Sequence, residues 1–369
     1  MRRAVQFAPG NAAYHNLLGR YLFFAQQDPE AALPHFNQAV VLNPHDSALW
    51  LDLASACGAT GNSNEQQRAL ETAIQVDPTT PDVAWNAANF YLVRRENDKA
   101  LQQFRVVLNS DPQLLAPALN LCWRITRDPG RVLPLLPKNA DAYLTFITLL
   151  NDEGESHAAA QVWSRLVELR LPMPGPKPLS YVDHLLAAGA IDRAREAWDD
   201  LTSIEPSLAS YRRGQANLVL NGSFEHALLN AGFDWRYQRL PNISVSLDPA
   251  NFHGGSRALC ISFDGSTSRD AGVQQLVPVS PDTAYRLIAS VKSEELLSAH
   301  PPAVVVVAPD GTLLAQTPAV TGTSLWRQFT ADFATGPNTE LVAVKVVRAA
   351  GSKIQGKFWL DEVSIVRPY

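Results

Sequence analysis

The chain has 369 residues, 46% of them hydrophobic and 18% charged, with a formal net charge of -5. Single hydrophobic cores stop growing at roughly 250 to 300 residues, so this length asks for two domains. No run approaches the roughly 18 uninterrupted apolar residues of a membrane span, and no Lys/Arg cluster is dense enough to neutralise a row of phosphates, which argues against both a bilayer crossing and a nucleic-acid partner.

At the start, Arg2 and Arg3 lead directly into AVQFAPG without the apolar core or cleavage site of a signal peptide. This stretch reads as the tail of a helix from a preceding repeat, so we expect the sequence to begin inside a longer protein. The chain then repeats. Pro44, Pro78 and Pro112 are 34 residues apart, and Pro9 precedes Pro44 by 35. Each later proline closes an amphipathic segment (VLNP, QVDP, LNSDP) that it cannot continue as helix.

Within that frame the first unit offers His15, Leu18, Gly19 and Leu22, then Ala32, Phe36, Ala39 and Pro44. The second offers Trp50, Leu53, Ala54 and Cys57, then Leu70, Ala73 and Pro78; the third has Tyr91, Ala100, Phe104 and Pro112. The phase returns with Tyr143, Phe146, Leu150, Ala159 and Trp163, and again with Ala194, Trp198 and Pro206. Small residues let paired helices approach, and aromatics one turn on fill the space beside them. This pattern resembles the tetratricopeptide repeat. It implies an all-α superhelical array of about 5.5 hairpins over residues 1–213, degenerate near 113–139, where RDPGRVLPLLPKN is too rich in proline for a regular unit. A change of superhelical pitch is expected near residue 130. In such arrays the first helix of each hairpin lines a groove, which by position assigns Asn16, Arg20, Phe24, Trp85 and Asn89, with Leu144 and Thr148 further on, to a protein-binding surface. A protein or peptide partner would lie there, unless the groove packs on the protein's own second domain. The Lys/Asn clamp used for acidic C-terminal tails is absent.

After SIEPSLASYRRGQ the period changes to alternation. ISVSLD, RALCISFD, AGVQQLVPV, YRLIASVKS, AVVVVAPDGTLLAQ, LWRQFTADF, LVAVKVVR and FWLDEVSIV are short, β-branched or aromatic, and bounded by turn residues. Eight to ten strands in about 150 residues predict an all-β sandwich over 214–369, with APDGTL as a hairpin turn. In their order, LVLNGSFE, HGGSRALCISF, VPVSPDTAYRLIASVKS, LWRQFTADF and FWLDEVSIV resemble the galactose-binding-like jelly-roll domains among carbohydrate-binding modules. The resemblance implies a glycan on the sandwich and a structural calcium at Glu225 and Asp361, completed by backbone oxygens near Ser223 and the loop around Gly255, Ser256 and Arg257. Those two carboxylates are otherwise surface or turn groups.

For sugar stacking the best candidates are Trp235 and Tyr237, with Asp234 and Arg236, and Arg239 close by, as polar neighbours. Trp235 reads either as that platform or as a plug under the RYQRLPN connection. Trp326 matches a position that is core in similar domains, and alternation leaves Trp359 either inside or on the outer face.

Cys57, Cys122 and Cys260 are odd in number and far apart, so neither a disulfide framework nor a zinc site follows; the first two sit on apolar helix faces as small buried groups. The eight histidines lack metal-site spacing, and no phosphate loop, dinucleotide fingerprint or nucleophile elbow occurs. HGGSRAL leads into a strand and reads as a tight turn, and Asp199 and Asp200 face different ways on a helix. We therefore expect no enzyme but a non-catalytic interaction scaffold with a glycan-binding sandwich, of bacterial envelope or exopolysaccharide assembly and located outside the cytoplasm. The alternative is a lectin-like targeting module for an enzyme encoded in a missing N-terminal region or the same operon.

Overall fold

The computed structural model describes residues 1–214, 216–267, 271–349 and 351–368, and no helix among them is long and apolar enough to cross a membrane. The chain divides into two compact units, Met1–Leu166 and Val167–Tyr369.

The first unit opens with α1 (Arg2–Phe7) and continues in helical hairpins: α2 (Ala12–Arg20) with α3 (Pro29–Leu42), α4 (Ser47–Ala59) with α5 (Ser63–Val76), and α6 (Pro81–Val93) with α7 (Asn97–Ser110). Their boundaries follow from local chemistry. The side chains of Asn11, Asp28, Asp46 and Asn62 accept hydrogen bonds from the first free N–H groups of α2, α3, α4 and α5. At the other end Asn43, Asp77 and Asp111, each followed by a proline, leave the helical region with ψ of 82°, 91° and 104°, as the residue before proline must. Gly19 is the tightest point of the first hairpin, since a Cβ there would sit 2.8 Å from the ring of Phe36. Phe36 and Phe104, both expected at helix contacts, are at most 1% exposed, as are Ala87 and Ala88 of α6.

The fourth hairpin is abbreviated, as its prolines predict. After α8 (Leu115–Thr126), α9 (Pro129–Val132) is capped by Asp128 and passes into a 3-10 turn at Leu133–Leu135. Regular pairing resumes with α10 (Ala140–Asp152) and α11 (Ser156–Glu168).

In the second unit, α12 (Lys177–Ala187) and α13 (Ile191–Ile204) precede a 3-10 turn at Pro206–Tyr211 and nine strands. These are β1 (Ile243–Asp248), β2 (Ala258–Ser266), β3 (Gln274–Pro278), β4 (Ala284–Leu297), β5 (Ala303–Val307), β6 (Leu313–Gln316), β7 (Gly322–Ala334), β8 (Leu341–Val347) and β9 (Ile354–Val366). They form a five-stranded sheet, β1-β2-β9-β4-β7, and a four-stranded sheet, β3-β8-β5-β6, with every pair antiparallel. APDGTL is the β5–β6 turn, with Gly311 at φ 88°. Leu259, Ile261, Leu287, Phe358 and Leu360 from one sheet and Val304, Val306, Val342 and Val344 from the other share one core.

The last helical turn ends at Tyr211 and the first strand begins at Ile243. Compactness divides elsewhere, because the hairpin α12–α13 is built into the strand unit. Gly232, at φ 59°, lies so close to Trp198 that a Cβ would overlap the indole. Trp198 is fully buried, meets Phe233 edge-on at 5.9 Å and donates Nε1–H to the Tyr211 carbonyl at 3.0 Å. Tyr211 in turn donates its hydroxyl to the Ala227 carbonyl at 2.6 Å, and Asp183 of α12 accepts from the Gly232 N–H at 2.7 Å and from Arg236. Losing a buried Trp contact costs about 3 to 5 kcal/mol. A fragment 167–369 should therefore melt cooperatively, whereas a fragment 214–369 should melt on the order of 10 °C lower; equal melting temperatures in a calorimeter would contradict this.

Candidate functional site

Alternation along β4 sends Tyr285, Leu287, Ala289 and Val291 into the core and Arg286, Ile288 and Lys292 to the outer face of the five-stranded sheet. On β9 the parity of Phe358 and Leu360 turns Trp359 outward. On β7, where Phe329, Ala331 and Phe333 pack inward, Trp326 and Gln328 face out. The alternative left open for Trp359 is thus resolved to the outer face. Trp326, expected in the core, is half-buried on that same face, because its strand register places it beside Trp359 and not between the sheets.

Trp359 is nevertheless fully covered. It donates Nε1–H to Asp248 at 2.8 Å and lies under the ammonium groups of Lys292 and Lys357, at 5.0 and 5.7 Å from the ring centroid. Lys292 donates to Asn251 Oδ1 at 2.6 Å, tying the β1–β2 loop over the sheet. Burial works against ionisation of Asp248, but the Trp359 donor and the N–H groups of Ala250 and Asn251 outweigh it and hold the carboxyl below its usual range. Trp326 keeps an open flank, with the His253 ring edge-on at 5.7 Å and His253 paired to Glu362. Lys292, Asn251 and His253 escape sequence reading; the only signal is a Lys of outward parity one strand away from a Trp.

The four residues assigned to sugar stacking require correction. Trp235 has no exposed surface, packs at 5.1 Å against Phe224 and donates Nε1–H to the Asn221 carbonyl at 3.2 Å, so it is the plug and not the platform. Asp234 is equally buried and accepts from Leu229 N–H at 2.7 Å; burial pushes its pKa up to about 6. Arg236 is spent on Asp183 and on the Gly232 carbonyl at 2.8 Å, and half-buried Tyr237 packs against the core. Of these residues Arg236 joins the seam to α12, while Trp235 and Tyr237 belong to the core of the sandwich. Arg239 is exposed.

Glu225 and Asp361 grip one loop from two sides. Asp361, fully buried, accepts from the N–H groups of His253 at 2.8 Å, Gly254 at 3.0 Å and Glu362 at 2.7 Å. Burial still raises its pKa. Glu225 accepts from the Ser256 hydroxyl at 2.6 Å and its N–H at 2.8 Å, which lowers its pKa, and its carbonyl takes the Arg257 guanidinium. A Cβ at Gly254 or Gly255 would strike Glu362 or Glu225, so HGGS is the turn that lets the carboxylates close. The loop meets them with N–H donors where calcium would need oxygens, and Ser223 is not among their partners. Among the described residues no group of three or more His, Cys, Asp or Glu could hold a metal ion. This donor set does not fit calcium.

In the helical unit, Asn16 is 9% exposed and donates to Asp52 Oδ2 at 2.9 Å, which also takes Arg20 at 3.4 Å. Burial raises the pKa of Asp52, a residue the repeat pattern does not single out. Phe24, 60% exposed under Arg20, sits on a π-turn at Tyr21–Ala25 that prolongs α2. Trp85, half-buried, meets Phe104 edge-on at 5.9 Å and so packs within its hairpin, while Asn89 donates back to the Trp85 carbonyl at 2.8 Å. Leu144 is buried and Thr148 exposed, bonded to the Leu144 carbonyl. The first hairpin thus keeps an open surface at Arg20 and Phe24, next to exposed Tyr14, Leu17 and Tyr21.

The tetratricopeptide repeat model matches residues 2–47 and 21–66. Hsp70-Hsp90 organizing protein 1 of Glycine max is 31% identical over 94 residues, which is 26% of this chain; the match spans only 16% of the relative's length. A family 16 carbohydrate binding module-2 structure is 22% identical, covering 41% of this chain and 100% of its own at a TM-score of 0.30. A CBM4 structure is 14% identical, with 41% and 99% covered at a TM-score of 0.32. The N-terminal region carries tetratricopeptide repeats, a protein-interaction module, and the strand domain matches carbohydrate-binding module structures.

Two predictions follow from the carboxylates. Because the folded pKa of Asp234 lies above its unfolded value, the folded state holds the extra proton between about pH 4 and 6, and stability falls as pH rises through that window. Asp234→Asn should remove that slope, worth on the order of 2 to 3 kcal/mol, in urea titrations from pH 4 to 7; an unchanged slope would refute the assignment. The melting temperature should be the same in millimolar calcium and in chelator, while Asp361→Ala lowers it; a calcium-dependent rise would restore the metal site.

Proposed function

We propose that the protein is a non-catalytic binder in two parts: the helical region holds a protein or peptide, and the strand domain takes a glycan on the outer face of its five-stranded sheet. The observation that carries the glycan half is Trp326, an indole with an open flank set among polar side chains, His253, Lys292, Asn251 and Gln328. An apolar ring face stacks on an indole while neighbouring amide, amine and imidazole groups serve its hydroxyls. The peptide half rests on the open Arg20–Phe24 surface of the first hairpin, where an aromatic anchor beside a guanidinium suits a mixed apolar and acidic segment.

The non-catalytic reading is supported by how the reactive side chains are used. Cys122 is buried with its thiol pushed up to about 12, and burial likewise raises Cys57 and Cys260, so none is a ready thiolate. The pairing of a peptide holder with a glycan face suits a scaffold of exopolysaccharide assembly outside the cytoplasm.

Neutral oligosaccharides such as xylo- and cello-tetraose should bind the full chain, and Trp326→Ala should weaken them up to about ten-fold, in keeping with the roughly 0.5 to 1.5 kcal/mol of a stacked ring. Trp235→Ala should lower the melting temperature instead. A glycan array that stays blank for a folded protein would end the carbohydrate half.

A further inference from the structure

The outer face does not end at Trp326. Toward the other end of β4 and β9 it runs into a recess of about 560 Å³ lined by Asn217, Asn221, Gln328 and Ser364, with His226 and the Glu362 carboxylate, which is paired to His253. Beyond Ile288, which lines both, lies a cavity of about 1170 Å³ between α13, the segment Arg212–Gly214 and the ends of the strands. Five arginines line this cavity: Arg195, Arg212, Arg213, Arg286 and Arg367, against a single lining carboxylate, Asp199.

Three of the five pair with carboxylates. Arg213 forks onto Asp199, and Arg286 onto Asp332 with contacts of 2.6 and 2.9 Å. Among the described residues, only Arg212 and Arg367 of the five have uncharged acceptors alone. Arg212 donates to the Thr202 carbonyl at 3.2 Å and Arg367 to the Ser280 hydroxyl at 2.9 Å, both uncharged acceptors. Arg195 reaches Asp192 at 3.3 Å through one nitrogen, while its buried Nε has no partner. Guanidinium groups held around one cavity and left short of counter-charges present planar donor forks suited to an oxyanion.

We infer that this arginine-lined cavity binds the acidic group of an anionic glycan whose neutral part lies along the outer face. The inference rests on the glycan reading of that face. The continuity of the two recesses carries it: amide and hydroxyl side chains in one match sugar hydroxyls, and the arginines in the next match a uronate carboxylate or a sulfate ester. Apolar Leu218, Ile288 and Val366 supply the wall against which a pyranose ring rests.

Titration calorimetry on the full chain tests this with tetragalacturonate, its methyl ester, a carrageenan tetrasaccharide bearing sulfate but no carboxylate, and cellotetraose. One or both acidic sugars should bind at least about ten-fold tighter than the uncharged ones, as expected for a charge-assisted hydrogen bond, and weaken as salt rises. Which of them binds identifies the oxyanion. Arg212→Gln and Arg367→Gln, both at exposed positions, should each remove most of that advantage without changing the melting temperature or the affinity for cellotetraose. Neither tetragalacturonate nor the carrageenan tetrasaccharide binding tighter than the uncharged sugars, or no effect of the double variant, overturns the inference while the glycan reading stands. Loss of binding to every sugar overturns the reading beneath it. A poly-glutamate peptide that displaces tetragalacturonate at equal concentration overturns the assignment to a glycan.

Discussion

The contact between Gly232 and the Trp198 indole governs the second unit. It leaves no room for a Cβ, so the turn that enters the sandwich lies flat against α13, and Asp183 secures it by accepting from the Gly232 N–H and the Arg236 guanidinium. Once that seam is closed, Arg212, Arg213, Gly214, Ala216 and Leu218 line, with α13 and the sheet ends, the cavity that holds the arginines. The seam consumes Arg236, and the sandwich beneath it consumes Asp234 and Trp235, the residues whose composition suggests a ligand platform. Aromatic and charged side chains around a buried joint look, as a string of letters, much like those around a sugar.

At the other end of the five-stranded sheet the constraint is electrostatic. Asp361 and Glu225 hold the β1–β2 loop through its own N–H groups, and the loop, through Asn251 and Lys292, roofs Trp359. Trp326 is left as the indole with an open flank. A buried carboxylate without such donors would be costly, and three N–H groups on Asp361 offset most of that cost. The anchoring leaves the sheet face as a shallow track with an aromatic at one end and guanidinium groups at the other.

The helical unit follows a simpler rule. Gly19 admits the Phe36 ring, and Asn–Pro or Asp–Pro ends α3, α5 and α7. Where three prolines crowd into residues 129–137, the second helix shrinks to four residues and a 3-10 turn. Asp52 then joins Asn16 and Arg20 across successive hairpins, which stiffens the surface beside Phe24.

Much of this was determined by the sequence itself, because helix stops, small-residue contacts and strand alternation are local or periodic properties that a chain carries without its partners. The repeat frame, the abbreviated hairpin, the alternating strands and the buried Cys57 and Cys122 belong to that class. What only the tertiary structure decided is which face each aromatic meets and what each charge is paired with. Trp235 and Trp326 differ little as letters, yet one is sealed under a loop and the other stands at an open face. Glu225 and Asp361 likewise read as metal ligands until the loop between β1 and β2 presents N–H groups in place of oxygens. The arginines of the cavity are spread from residue 195 to 367, and only the packing of α13 against the strands gathers their charges around one space.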